Sequence, residues 1–143
     1  MKKLTPIAVL AFLFAVVLSS CSPYEEGPAI SLRSKAERVA NTWRVNYAVD
    51  DDGDQTADYD GDVYIFDKDG AAQVNFTEGG FDFEAVGTWA FTNDDQNMRI
   101  TAEYVVGPLT FEIDETFEIL KLKESELWVK DIDDDRLEIH FVD

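Results

Sequence analysis

The chain has 143 residues, with 30 acidic and 12 basic side chains and a formal net charge of −18. So acidic a surface repels phosphates, which excludes ordinary nucleic-acid binding, and it disfavours adhesion to an anionic bilayer by charge. Ten Phe, five Tyr and three Trp exclude global disorder. Residues 1–20 read as a processing signal. Lys2 and Lys3 precede an apolar run from Ile7 to Leu18, too short and wrongly flanked for a membrane span.

The small residues of "LSSC", ending at Cys21, resemble the bacterial lipoprotein signal box. The resemblance implies cleavage before Cys21 and acylation of it. Cys21 is the only cysteine, so no intramolecular disulfide forms and stability must come from a core. Acyl chains anchor through buried methylenes, so the membrane is the first expected partner. Removing residues 1–20 takes both signal lysines away, which leaves 123 residues and a charge of −20. That length suits one domain. The expected address is the cell envelope, lipid-anchored at the outer membrane. Residues 21–34, with two prolines and a glycine in "SPYEEGPAI", read as a tether.

The domain is expected over residues 35–143. Leu32, Ala36, Val39 and Ala40 have helical spacing, and Ser31 or Ser34 is placed to cap a short helix. After it, apolar residues alternate. Trp43, Val45, Tyr47 and Val49 share one strand face. "DVYIFD" (62–67) is a short strand with apolar residues on both faces, and "KDG" (68–70) turns into "AAQVNFTE" (71–78). Gly79-Gly80 turns again. Phe81, Phe83, Ala85, Gly87, Trp89 and Phe91 line the next strand, and "NDDQN" (93–97) turns. Met98, Ile100, Ala102, Tyr104 and Val106 follow. Gly107-Pro108 breaks the pattern before Leu109, Phe111 and Ile113 resume it. Phe117 and Ile119 keep that phase, whereas Leu120 and Leu122 switch it, which predicts a bulge near residue 120. "LWVKDI" (127–132) and Leu137–Phe141 close the chain.

Eight strands joined by short connections, with no intervening helix, predict an antiparallel up-and-down sheet. It closes into a barrel or splits into a two-sheet β-sandwich. The N-terminal helix, "NTWRV" and eight meandering strands resemble the lipocalin-like barrels of Bacteroidetes lipoproteins. The lipocalin G-x-W signature is present only as Trp43, with Asn41 in place of its glycine. The resemblance implies an all-β barrel with an interior able to hold a small apolar ligand. Trp43, Phe81, Phe83, Trp89, Phe91, Tyr104 and Phe111 are the candidate lining, although so many large rings also suffice to fill a barrel.

Residues 50–62, "DDDGDQTADYDGD", hold seven aspartates. Strand alternation sends this loop, Gly79-Gly80, Gly107-Pro108 and "DIDDD" (131–135) to one rim. Asp50, Asp52, Asp54, Asp58, Asp60 and Asp62, with Asp131, Asp133 and Asp135, are therefore candidate calcium ligands. No EF-hand register fits. With Gly53 as the loop glycine the first and last positions are Ala48 and Tyr59, and with Gly61 they are Thr56 and Asp67. A solvated acidic loop and an acidic mouth for a cationic ligand or basic partner are the other readings. The lone His140 faces away from Leu137, Ile139 and Phe141. With no second His and no phosphate loop, the chain reads as a binding protein and not an enzyme. Two buried carboxylates facing each other in a cleft would reopen that question. The alternative role is an envelope interaction module with a filled core and a calcium-ordered loop.

Overall fold

The computed structural model describes residues 25–26, 32–133 and 137–143. The signal segment, Cys21, Ser31 and Asp135 lie outside them. The strands are β1 (Glu25–Glu26), β2 (Thr42–Asp50), β3 (Gly53–Asp54), β4 (Val63–Phe66), β5 (Ala71–Glu78), β6 (Phe81–Thr92), β7 (Asn97–Val106), β8 (Leu109–Leu122), β9 (Glu126–Asp131) and β10 (Glu138–Val142). One helix, α1 (Lys35–Val39), precedes β2, and a 3₁₀ turn spans Thr56–Tyr59.

Among the described residues, eight strands close into an antiparallel barrel in chain order: β2, β4, β5, β6, β7, β8, β9 and β10. The β10–β2 ladder makes the closure, with Glu138 opposite Val49 and Val142 opposite Arg44. Closure excludes the two-sheet alternative, because every barrel strand has a partner on both sides. The expected bulge is present: the β8–β9 register shifts between Ile119 and Lys121.

A second shift alters the reading of β2. Tyr47 pairs with His140 but Val45 pairs with Phe141, so Asn46 is extra. The inward phase therefore passes from Trp43 to Ala48, both fully buried, and Tyr47 leaves the face it was expected to share. Its ring instead meets His140 on the outside at 5.4 Å, and His140 stacks on Trp128 at 4.0 Å. His140 faces outward, as its alternation indicated. A bulge of this kind re-aims side chains with no turn residue to announce it.

Two glycine positions shape the sheet. Gly79 and Gly80 both have positive φ, +60° and +81°, in the two-residue link of β5 to β6. This is the twist that suits a tight hairpin. A Cβ on Gly87 would meet the Thr101 carbonyl oxygen at 1.9 Å, so β6 and β7 approach there as only glycine allows.

The end of the barrel opposite the acidic loops is filled. Trp43, Met98, Ile100, Leu122, Leu127, Ile139, Val39 and Val129 are the largest fully buried side chains, and most crowd this half and the waist. Helix α1 starts with a reciprocal cap: Ser34 Oγ accepts from Glu37 N–H, and the Glu37 carboxylate accepts from Ser34 N–H at 2.7 Å. It brings Val39 into the core, where the Val39 carbonyl accepts from Trp43 Nε1 at 2.9 Å. Leu32 was expected on the helix's apolar face. It precedes the cap and is 99% exposed. Strand β1 runs parallel to the end of β8, and Glu26 there meets Arg38 at 3.0 Å and Lys35 at 3.6 Å.

Candidate functional site

The β2–β4, β5–β6, β7–β8 and β9–β10 connections share one rim, which gathers the two acidic stretches as alternation required. The first stretch is not a floppy loop. Asp50 Oδ1 accepts from the amides of Asp52 (2.8 Å) and Gly53 (3.1 Å) and from Gln55 Nε2 (2.9 Å), which folds the chain back so that β3 pairs with β2. Asp54 accepts from Thr56 N–H at 2.9 Å, and bonding to Thr56 holds its carboxyl below the usual range. The Thr56 hydroxyl accepts in turn from Ala48 N–H at 3.0 Å. Short polar side chains bonding their own backbone in this way are ordinary turn chemistry.

The 3₁₀ turn then carries Tyr59 against the core. Burial and the charges of Glu115, Asp58, Asp62 and Asp131 all raise its phenol pKa, in that order. The loop aspartates thus differ in what they do. Asp50 and Asp54 build the turn, Asp58 and Asp60 line its outer side, and Asp62 points into the barrel. Asp133 N–H bonds Asp131 Oδ1 in the mouth's other stretch. Among the described residues, no three Asp, Glu, His or Cys side chains are grouped to share a metal ion.

Below this rim lies a cavity of about 240 Å³, open at the acidic end. Its apolar wall is Val74 and Phe76 from β5, Ile100 and Tyr104 from β7, and Ile113 from β8. Its polar wall is Asp62 and Tyr64 at the start of β4, with Glu112 and Glu115 from β8. The strand period explains each placement. Asp62, Tyr64 and Phe66 occupy alternate positions on the inward face, and Glu115 falls between Ile113 and Phe117 in the same phase.

These acids are set among apolar neighbours. Asp62 is 8% exposed, and burial pushes its carboxyl up to about 6 although the Thr77 amide bonds it. Burial likewise raises Glu115, and the Asp131 charge raises it further. Among the described residues no cation pairs with either. Tyr64 is 7% exposed, its ring packed on Phe141 at 5.0 Å and Phe66 at 6.4 Å. Its phenol pKa is raised by burial first and then by Glu115 and Asp62, yet its hydroxyl bonds no protein group among the described residues, and the residue lines the cavity.

Comparison of the chain with protein-family models, curated proteins and solved structures finds no match. The chemistry of the site therefore rests on its own residues.

Of the expected pocket lining, only Tyr104 borders the cavity. Trp43 and Trp89 are buried in the filled part, and Phe91 packs beside Trp89 at 5.3 Å. Phe83 and Phe111 stand further out, where they join Phe76 and Tyr104 in a ring cluster with centroids 5.1–5.5 Å apart. Phe81 is 71% exposed at the hairpin tip. Of the stripe, Trp43 and Trp89 fill the barrel, the other use expected of such large rings, while Phe81, Phe83 and Phe111 lie where β6 to β8 extend past it. Asp62 and Glu115, unremarked as inward residues, were detectable: each is an acid standing in phase within an apolar alternation.

Proposed function

We propose that this chain is an exported, lipid-anchored binding protein of lipocalin-like plan, whose acidic barrel mouth holds a small ligand. The observation that carries the reading is the uneven interior. Inside the barrel, fully buried side chains fill the end under α1, while the other keeps a cavity with an apolar wall and convergent polar groups, the usual make-up of a ligand site. The anchor rests on Cys21 and the apolar run before it. At about 240 Å³ the space suits a small molecule. Paired inward carboxylates also serve hydrolysis. The small volume favours binding, since a glycosidic bond needs room for a sugar on each side.

A titration of the full chain in neutral detergent with an environment-sensitive apolar dye tests this. Saturable one-site emission, lost in Ile113→Trp, supports the cavity. Equal dye binding by both proteins would move the function to the exposed hairpin tips. Phe81, Val105 and Leu109 are solvent-facing there, the arrangement an interaction module would use. The same sample melted with calcium against magnesium tests whether the Asp50–Asp62 loop takes an ion, since binding to the folded state alone raises the midpoint.

A further inference from the structure

An apolar cavity does not need acids, and burying a carboxylate without a counter-charge is costly. Yet the mouth cavity carries Asp62 and Glu115 on its wall and Glu112 at its lip, with no Lys, Arg or His among the described residues that line it. Several basic side chains elsewhere are held in pairs among the described residues. Arg99 grips Asp114 at 2.6 and 2.7 Å, Arg38 meets Glu26 and Arg33 meets Glu124, all away from the cavity. A second observation is independent of the charges. Tyr64 is more than nine-tenths buried, and its hydroxyl has no protein hydrogen-bond partner among the described residues and faces the same space. A buried hydroxyl is ordinarily bonded. The oxygen is open to the cavity and not sealed from solvent, so whatever occupies the cavity is placed to bond it. Across from these groups, Phe76 and Tyr104 meet edge to face at 5.1 Å.

We infer that the cavity binds a small protonated amine with an apolar body, its N–H groups shared by Glu115, Asp62 and the Tyr64 hydroxyl and its body against Phe76, Tyr104 and Ile113. This rests on the binding reading above and names the ligand class. An ammonium group supplies what the polar wall lacks: a positive charge for two carboxylates and N–H donors for the phenolic oxygen. Aromatic faces next to carboxylates add attraction for the same charge. A neutral ligand of equal size would leave both acids uncompensated, and an anion would meet three carboxylates.

The test titrates the full chain in neutral detergent by calorimetry with three probes of one shape: 2-phenylethylammonium, 2-phenylethanol and phenylacetate. Saturable binding of the ammonium at least tenfold tighter than the alcohol, with no binding of phenylacetate, is expected. Glu115→Gln and Asp62→Asn should each weaken the ammonium about tenfold and leave the alcohol unchanged. Tyr64→Phe should weaken it severalfold. Glu118→Gln, which removes the same charge from the outer face, should change nothing. Equal affinity for alcohol and ammonium, or an ammonium affinity that Glu118→Gln lowers as much as Glu115→Gln, overturns the amine assignment while leaving the cavity a ligand site. Failure of all three probes together with failure of the apolar dye overturns both. The ranking of the three probes on the unmutated protein decides the matter even where a variant does not fold.

Discussion

At the α1 end, Trp43 is fully buried and its indole N–H reaches the Val39 carbonyl at 2.9 Å. Tyr64, beside it on β4 and lining the mouth cavity, is nearly as buried, but its hydroxyl meets no protein group among the described residues. Both rings sit on the inward face of neighbouring strands and even pair across β2 and β4. The difference lies in what the chain packs beyond them. Helix α1 and β1 fold over the first end with cap, carbonyl and Glu26–Arg38 contacts, although the buried Arg38 Nε finds no partner among the described residues. Nothing comparable covers the second among the described residues, where the ladders of β5–β6 and β7–β8 continue outward as hairpins with exposed apolar tips.

Truncation at the filled end is the largest expected blow to that contrast. Trp43→Ala removes the largest buried side chain and its hydrogen bond, and should cost about 3–5 kcal/mol. Denaturant unfolding measures it. A cost near that of an exposed position would mean that the α1 end is as loosely built as the mouth.

The open end should show the opposite sign. Asp62 takes up its proton in the folded chain near pH 6 but in the unfolded chain near 3.8. The folded state therefore binds more protons between these values. Neutral Asp62 contributes its full share below about pH 4, and that share is lost as pH rises through about 6. Glu115, also raised, acts in the same direction. The melting midpoint should rise on acidification from pH 7 to pH 5. Asp62→Asn should stabilise the protein at pH 7 by up to about 2–3 kcal/mol and flatten that slope. Asparagine keeps an oxygen for the Thr77 amide, so packing is little changed. Nearer pH 3, groups held low by their partners, Asp54 and Asp114 among them, reverse the trend. An unaltered slope in Asp62→Asn would show that the mouth carries no electrostatic strain.

The smallest effect sharpens the other side. Ser34→Ala deletes one half of the α1 capping box and should cost about 1 kcal/mol. Ligand affinity at the far mouth should stay unchanged. A loss of probe binding in Ser34→Ala would join two ends that the structure keeps apart.

Much of this was legible in the residues themselves. Alternation at Phe81–Phe91 and Met98–Val106, glycine pairs at turns and the phase switch at Leu120 are local signals, set by the two-residue period of a strand and by turn sterics. They are sufficient for eight strands, their order and the common rim of the aspartates. The bulge at Asn46 left no such mark, so the outward turn of Tyr47 was hidden. Length was the other blind spot. Alternation tells which way Phe81, Phe83 and Phe111 point, but not that the sheet has left the barrel by the time it reaches them. Alternation and turn residues set the strands, their connections and the inward phase that holds Asp62 and Glu115. Which end α1 and β1 fill, where the cavity remains and which partners Tyr64 lacks were set by long-range packing. Those depend on closure between β2 and β10, a contact between the two ends of the domain that no local pattern encodes.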